Sequence, residues 1–312
     1  MTQRALWARI CALSRDRRIR ERCFAEFWQG GAMSKLMIDT MRTLNNGVQI
    51  PILGLGTSET SPYVKEQTKI FLNGIEAGYR MLDTAWSYQT ERGVAEAIKA
   101  SGLPREHFFI TSKLASLAIH LGEREIIRNF EDSLRNLQTD YIDLYMIHWP
   151  PHGMLQQTWK LMEYFYYSGH VRAIGISNCK RRDWLEVLMT CNVKPQVQQD
   201  EFNPLRMNEY NRIFCEEHGI YFEAFSPLQR NGLSRNPVLL QLAEKYDKDV
   251  SQIILRWDIQ HGVTPCPRSA NRAHIFSNAD IFDFELSVQD MARIDSLNVE
   301  AISNRDMDNF NF

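Results

Sequence analysis

Gly78-Tyr79-Arg80-Met81-Leu82-Asp83-Thr84-Ala85-Trp86-Ser87-Tyr88 is a short apolar run that closes on an acid, Asp83, with a phenol, Tyr88, just beyond it. Such a run reads as a buried strand, so the two polar groups mark the edge of a site. Two other runs have the same plan: Phe108 to Ser112 ends on Lys113, and Ile142 to Ile147 ends on His148. Strand-like runs recur near Ile52 to Leu55, Met81 to Thr84, Phe108 to Lys113, Ile142 to His148, Val171 to Ile176, Val197 to Glu201, Ile220 to Phe225 and Val263 to Pro265. Helical patterns fill the gaps over Val64 to Ala77, Glu91 to Ala100, Glu123 to Leu137, Met154 to Tyr167, Arg182 to Met189, Asn208 to Glu217 and Pro237 to Tyr246. This rhythm predicts an α/β fold, a parallel (β/α)8 TIM barrel. Asn45-Asn46-Gly47 between apolar neighbours reads as a β-hairpin turn ahead of the first barrel strand. Catalytic groups of such barrels lie at the C-terminal ends of the strands, which is where Asp83, Lys113 and His148 fall.

Those four side chains suit one chemistry. A phenol with a pKa of about 10 is a weak donor to a carbonyl oxygen near neutral pH, but an ammonium beside it stabilises the phenolate. Each unit of lowering corresponds to roughly 1.4 kcal/mol. Lys113 supplies the ammonium, Asp83 keeps it charged and fixed, and the His148 imidazole orients the substrate oxygen. Singly, each has a plain structural reading: a turn acid, a rim aromatic, a solvated lysine, a histidine before a proline turn. Together they describe a site that protonates a C=O.

Composition is compatible with an enzyme of this kind. A chain of 312 residues with 36 Lys plus Arg against 38 Asp plus Glu and a formal net charge of −2 has no cationic excess for nucleic acid. The six cysteines, Cys11, Cys23, Cys179, Cys191, Cys215 and Cys266, form no CxxC pair or zinc-like cluster, so no metal is expected and a reducing cytoplasmic setting fits. No apolar run reaches the ~18 to 20 residues that cross a bilayer.

From about Leu44 to Leu297 the chain resembles the aldo-keto reductases, and among them the bacterial 2,5-diketogluconate and glyoxal reductase-like branch. The segments that carry the resemblance are GVQIPILGLGT from Gly47, GYRMLDTAWSYQTE from Gly78, TSKL from Thr111 and DLYMIHWP from Asp143. GISN from Gly175, PQVQQDEFNP from Pro195, FSPL from Phe225 and ADIFDFELS from Ala279 continue it. The resemblance implies that Tyr88 is the proton donor, tuned by Asp83 and Lys113, with His148 orienting the carbonyl while a nicotinamide delivers hydride. It also implies that the hairpin plugs the barrel floor and that two extra helices, around Gln252 to Gln260 and Val288 to Leu297, exceed the minimal repeat. It sets the domain division as residues 1–40 outside the match and 41–312 as the barrel domain.

The cofactor is expected to be NADPH, with NADH as the alternative. Gly54-Leu55-Gly56 lacks the third glycine of a dinucleotide fingerprint, so the site is not of the Rossmann type. By the resemblance, Gly56 and Thr57 border the cofactor, Ser177, Asn178 and Gln199 hold the carboxamide, and Phe225 stacks on the ring where tyrosine is commoner. Ser226 and Leu228 touch the pyrophosphate. At the adenosine end Arg268 stands for the usual lysine and His274 for the usual arginine. Arg268 with Ser269 fits a 2′-phosphate, Arg272 is an alternative phosphate partner, and His274 and Asn278 reach adenine.

Trp86 and Trp149 are the expected walls of the substrate pocket. Ser58 replaces a common aromatic, and the segments after His148 and Leu228 are short, so an open site for small aldehydes, dicarbonyls or keto sugars is expected, in a monomer or weak homo-oligomer. The tail with Phe310 and Phe312 either covers the mouth or is disordered. The first forty residues carry Arg4, Arg9, Arg15, Arg17, Arg18, Arg20 and Arg22. A targeting helix there is opposed by Asp16, Glu21 and Glu26, and an alternative is a reading-frame extension ahead of Met33. Two other functions remain open: a non-catalytic nucleotide-binding regulatory protein on the same barrel, and a nucleotide-independent lyase or isomerase lacking an obvious phosphate loop.

Overall fold

The structure is a computed structural model that describes residues 36–301. The expectations for the arginine-rich extension, for a start at Met33 and for Phe310 and Phe312 lie outside the described residues. Within them, a two-stranded antiparallel hairpin, β1 (Met41–Thr43) and β2 (Gln49–Pro51), precedes the barrel. Its turn is closed by Leu44 N–H donating to the Val48 carbonyl at 2.8 Å, with Gly47 at φ +87°, a conformation that glycine adopts without cost.

Eight parallel strands follow: β3 (Gly54–Gly56), β4 (Met81–Asp83), β5 (Phe109–Leu114), β6 (Ile142–Ile147), β7 (Val171–Ser177), β8 (Val197–Glu201), β9 (Tyr221–Phe225) and β10 (Thr264–Pro265). Each is hydrogen-bonded to its neighbour in sequence order. The seam between β10 and β3 is bridged by Gly56 N–H donating to the Pro267 carbonyl at 3.0 Å. All eight expected strands are present, within one or two residues of the predicted ends.

The crossovers are α1 (Val64–Glu76), α2 (Glu91–Ser101), a short α3 (Ser116–Leu121), α4 (Glu123–Leu137), α5 (Leu155–Tyr167), α6 (Arg181–Leu188) and α7 (Glu209–His218). Then come α8 (Pro237–Tyr246), α9 (Val250–Gln260), α10 (Arg272–Ala279) and α11 (Val288–Asp295). Their starts follow from local chemistry: Asn236 accepts from the N–H groups of Val238 and Leu239 ahead of Pro237, and Asp249 with Gln252 forms a capping box. Sequence reading did not find α3 or α10; each is under nine residues, and α10 has no amphipathic face to betray it.

Strand alternation builds two cores. Outward residues such as Leu82, Ile110, Tyr145, Ile174 and Phe222 pack against helix residues Phe71, Val94, Phe130, Trp159 and Trp184. Inward residues Met81, Phe109, Leu144, Met146, Ala173 and Val197 fill the lower barrel together with Leu44 and Ile50 of the hairpin. The hairpin is pinned beneath that layer, as expected of a floor plug: Asn45 Nδ2 donates to the Pro195 and Gly219 carbonyls at 2.8 and 3.0 Å, and Asn46 Nδ2 to the Arg172 carbonyl at 3.0 Å.

Candidate active site

Two residues further along six of the eight strands the inward face turns polar. A period of two carries Met81 to Asp83, Thr111 to Lys113, Met146 to His148, Gly175 to Ser177, Val197 to Gln199 and Tyr221 to Glu223. A polar layer therefore sits directly on the apolar one, at the C-terminal mouth.

Lys113 is fully buried, its Nζ donating to Asp83 Oδ1 at 2.6 Å and to the Thr84 carbonyl at 3.0 Å. Tyr88 reaches the same point from a single 3-10 turn, Trp86–Tyr88, that follows β4. The Lys113 ammonium lies 5.1 Å from its ring centroid. The Tyr88 hydroxyl is 3.3 Å from His148 Nε2, and Ser87 Oγ is 3.3 Å from His148 Nδ1. The rings of Tyr88 and His148 meet edge to face. The four side chains expected to act together are thus in one cluster.

Electrostatics corrects one expectation. Burial raises the Tyr88 hydroxyl above its ordinary range; the Lys113 ammonium pulls it back and Asp83 pushes it up again, so the result is a rise and not the expected lowering. Burial works against the Lys113 charge, yet Asp83 and Tyr88 outweigh it and the ammonium is held more firmly than usual. Burial, then Lys113, drives His148 down to about 3, so its imidazole is neutral throughout the physiological range.

Gln199 Nε2 donates to Asp83 Oδ1 and to Glu223 Oε2, each at 3.1 Å. Both amide hydrogens are thereby engaged, which leaves its carbonyl oxygen to accept from a ligand. Asn178, at φ +59°, donates to Ser177 Oγ and to the His148 carbonyl. Phe225 closes β9, partly buried, ahead of Ser226 and Leu228. Ser226, Gln229, Arg230 and Asn231 all have positive φ, a clustering of strained backbone typical of ligand-gripping loops.

Gly56 is placed by packing: a Cβ there would lie 2.9 Å from the Cys266 carbonyl. Thr57 is wholly buried, with its N–H and hydroxyl both bonded to the Asp83 carbonyl. Arg268 lies beside this seam and donates to the Glu59 carbonyl at 3.2 Å, while the Glu59 carboxylate also takes Arg230 at 3.2 Å. Ser269 Oγ accepts from Asn271 N–H, His274 is exposed on α10 and Asn278 is buried on the same helix. Arg272 instead faces Glu76 on α1 at 3.3 Å. Trp149 lies against His148, their rings 6.1 Å apart, and Trp86 is partly buried at the mouth.

Residues 52–299 match the model of the aldo/keto reductase family. The chain belongs to that family. It is 45% identical to the glyoxal reductase of Bacillus subtilis over 83% of this chain and 93% of the relative. An aldo/keto reductase of Brucella melitensis superposes with a TM-score of 0.79 at 38% identity, covering 83% of this chain and 99% of that one. A Bombyx mori aldo-keto reductase solved in complex with NADP superposes with a TM-score of 0.80 at 31% identity, covering 88% and 97%. As an aldo/keto reductase the protein is an NAD(P)H-dependent oxidoreductase.

Sequence reading passed over Glu223, Glu59 and Arg230. An acid in the middle of the apolar stretch Tyr221-Phe222-Glu223-Ala224-Phe225 was a visible signal; the pairing of Glu59 with Arg230, far apart in the chain, left none.

Proposed function

We propose that the protein reduces a small aldehyde or dicarbonyl to an alcohol with NADPH, Tyr88 donating the proton. The observation that carries this is the Tyr88, Lys113, Asp83 and His148 cluster at the barrel mouth. With Ser87 Oγ 3.3 Å from His148 Nδ1, the tautomer that carries its proton on Nε2 is the one suited to this role. Neutral His148 then orients the substrate oxygen through Nε2–H, and the Tyr88 hydroxyl points its own hydrogen at the same oxygen. Because its pKa is raised, Tyr88 is fully protonated at neutral pH, as a donor must be. Lys113 acts as charge develops: its fixed ammonium stabilises the phenolate formed in the transition state.

The residues around the cleft fit a nicotinamide nucleotide. Gln199 presents a carbonyl oxygen to a carboxamide, Ser177 and Asn178 stand beside it, and Phe225 offers an aromatic face. Ser226 and Leu228, on the loop after β9, would meet the pyrophosphate; Arg268 and Ser269 suit a 2′-phosphate, and His274 and Asn278 on α10 would meet the adenine. When bound, the nucleotide supplies the hydride. Gly56 and Thr57 form the wall beneath it, and Trp86 and Trp149 border the carbonyl pocket. Likeness to a glyoxal reductase and the short loops favour dicarbonyls and other small substrates. We read residues 1–40 as an extension outside the family match, with Leu36 and Ile38 near its end resting against the barrel core.

Loss of NADPH absorbance with glyoxal, methylglyoxal and simple aldehydes is the test, repeated with NADH to decide the preference. Tyr88→Phe is expected to lower kcat at least about a hundredfold while nucleotide binding, read by fluorescence, persists. Full turnover by that variant would remove Tyr88 from the role.

A further inference from the structure

Glu223 has no part in the reduction described so far. It is wholly buried on the inward face of β9, paired in register with Gln199 on β8 and Thr264 on β10. Its Oε2 accepts a single bond from Gln199, while Oε1 is buried without a partner. An ionised carboxylate with one neutral donor, sealed from water, is far costlier than a neutral acid. The charged and titratable groups that face it are Asp83 on β4, Lys113 on β5, Tyr221 on its own strand and Cys266 beyond β10. Lys113 is turned to Asp83, its bonds going to Oδ1 and to the Thr84 carbonyl, so among the described residues no cation is bonded to Glu223.

Resting on the proposed reductase reading, we propose that Glu223 is a positioning residue: as a neutral acid it fixes the Gln199 amide and keeps the layer under Tyr88 free of a second negative charge. The same amide nitrogen bonds Asp83 and Glu223, so Glu223 sets which way the Gln199 carbonyl faces. If Glu223 ionises, the cluster changes from one acid balanced by one ammonium to two acids sharing it. The phenolate that Tyr88 must become is then disfavoured and reduction slows. Burial, with Asp83 adding to it, raises this carboxyl to about 8, which puts the change within reach of ordinary assays.

The test is the pH profile of kcat for carbonyl reduction by wild type, Glu223→Gln and Glu223→Leu, with infrared spectra of the resting proteins across the same range. Wild type should lose on the order of tenfold in kcat between about pH 7 and pH 9. Both variants, which cannot ionise, should hold their rate over that span, with Glu223→Gln close to wild type at neutral pH. The infrared band of a protonated carboxyl should be present in wild type at pH 6, fade by about pH 10 and be missing from Glu223→Gln. A loss of rate above pH 7 that persists unchanged in the variants overturns the inference, as does a uniform drop at every pH in Glu223→Gln or the lack of a protonated band in wild type; a pH-independent drop confined to Glu223→Leu is the expected loss of the Gln199 bond. Absence of turnover by wild type with every carbonyl would sink the reductase reading itself and this inference with it.

Discussion

Lys113 shows how much a single residue can carry. Its ammonium is sealed in the barrel and faces Asp83 at 2.6 Å, so removing it strands a buried carboxylate. Lys113→Met should cost about 3–5 kcal/mol in urea unfolding and abolish reduction, whereas a surface lysine such as Lys160 changed in the same way should cost little. The sign follows from its raised pKa: the stabilisation is fully present below the unfolded value of about 10.4 and is lost only as pH rises through the folded one. At this scale the sequence was informative about identity, because each of Asp83, Lys113 and His148 ends an apolar run. It was uninformative about the direction in which Tyr88 shifts. That direction depends on how much water the surrounding strands exclude, and proximity to a lysine alone does not fix it. Glu223 did leave a signal, an acid inside an apolar run, but only the register with Gln199 and Thr264 shows that it faces inward.

Among the elements, the seam between β3 and β10 is the most exacting. Gly56 lets the two backbones approach closely enough for its N–H to reach the Pro267 carbonyl, and a methyl group there would meet the Cys266 carbonyl at 2.9 Å. Gly56→Ala should therefore lower stability by about 1–3 kcal/mol by thermal unfolding. It should also raise KM for NADPH, because Arg268 is carried on the same seam. Strands and long helices were legible, since periods of two and of 3.6 residues leave a mark over a whole segment. The loop after β9 was not: Ser226, Gln229, Arg230 and Asn231 have positive φ with no glycine among them, so no residue type there marks the turn. Likewise the Glu59 carboxylate joins Arg230 and Arg268 from loops remote in sequence.

For the molecule as a whole, the polar mouth rests on an apolar barrel core whose floor is the hairpin. Asn45→Ala removes the bonds to Pro195 and Gly219 and the one Gln196 Nε2 donates to Asn45 Oδ1 at 3.1 Å. Stability should fall by about 1–3 kcal/mol in chemical unfolding, while kcat stays close to wild type, because the floor lies at the opposite end of the strands from Tyr88. A large fall in kcat at full stability would mean that the floor and the mouth are coupled. Among the described residues no helix is long and apolar enough to cross a membrane, and no three His, Cys, Asp or Glu side chains sit together to hold a metal. The sequence by itself determined the barrel, the order of its strands and the three polar side chains at their ends, with Tyr88 on the turn just beyond one of them, because hydrophobic periodicity and strand termini are local properties of the chain. Only the tertiary structure decided the charge states: the firm ammonium of Lys113, the neutral His148, the raised Tyr88 and Glu223. Those depend on exclusion of water and on partners brought together from separate strands, and neither is written in any one segment.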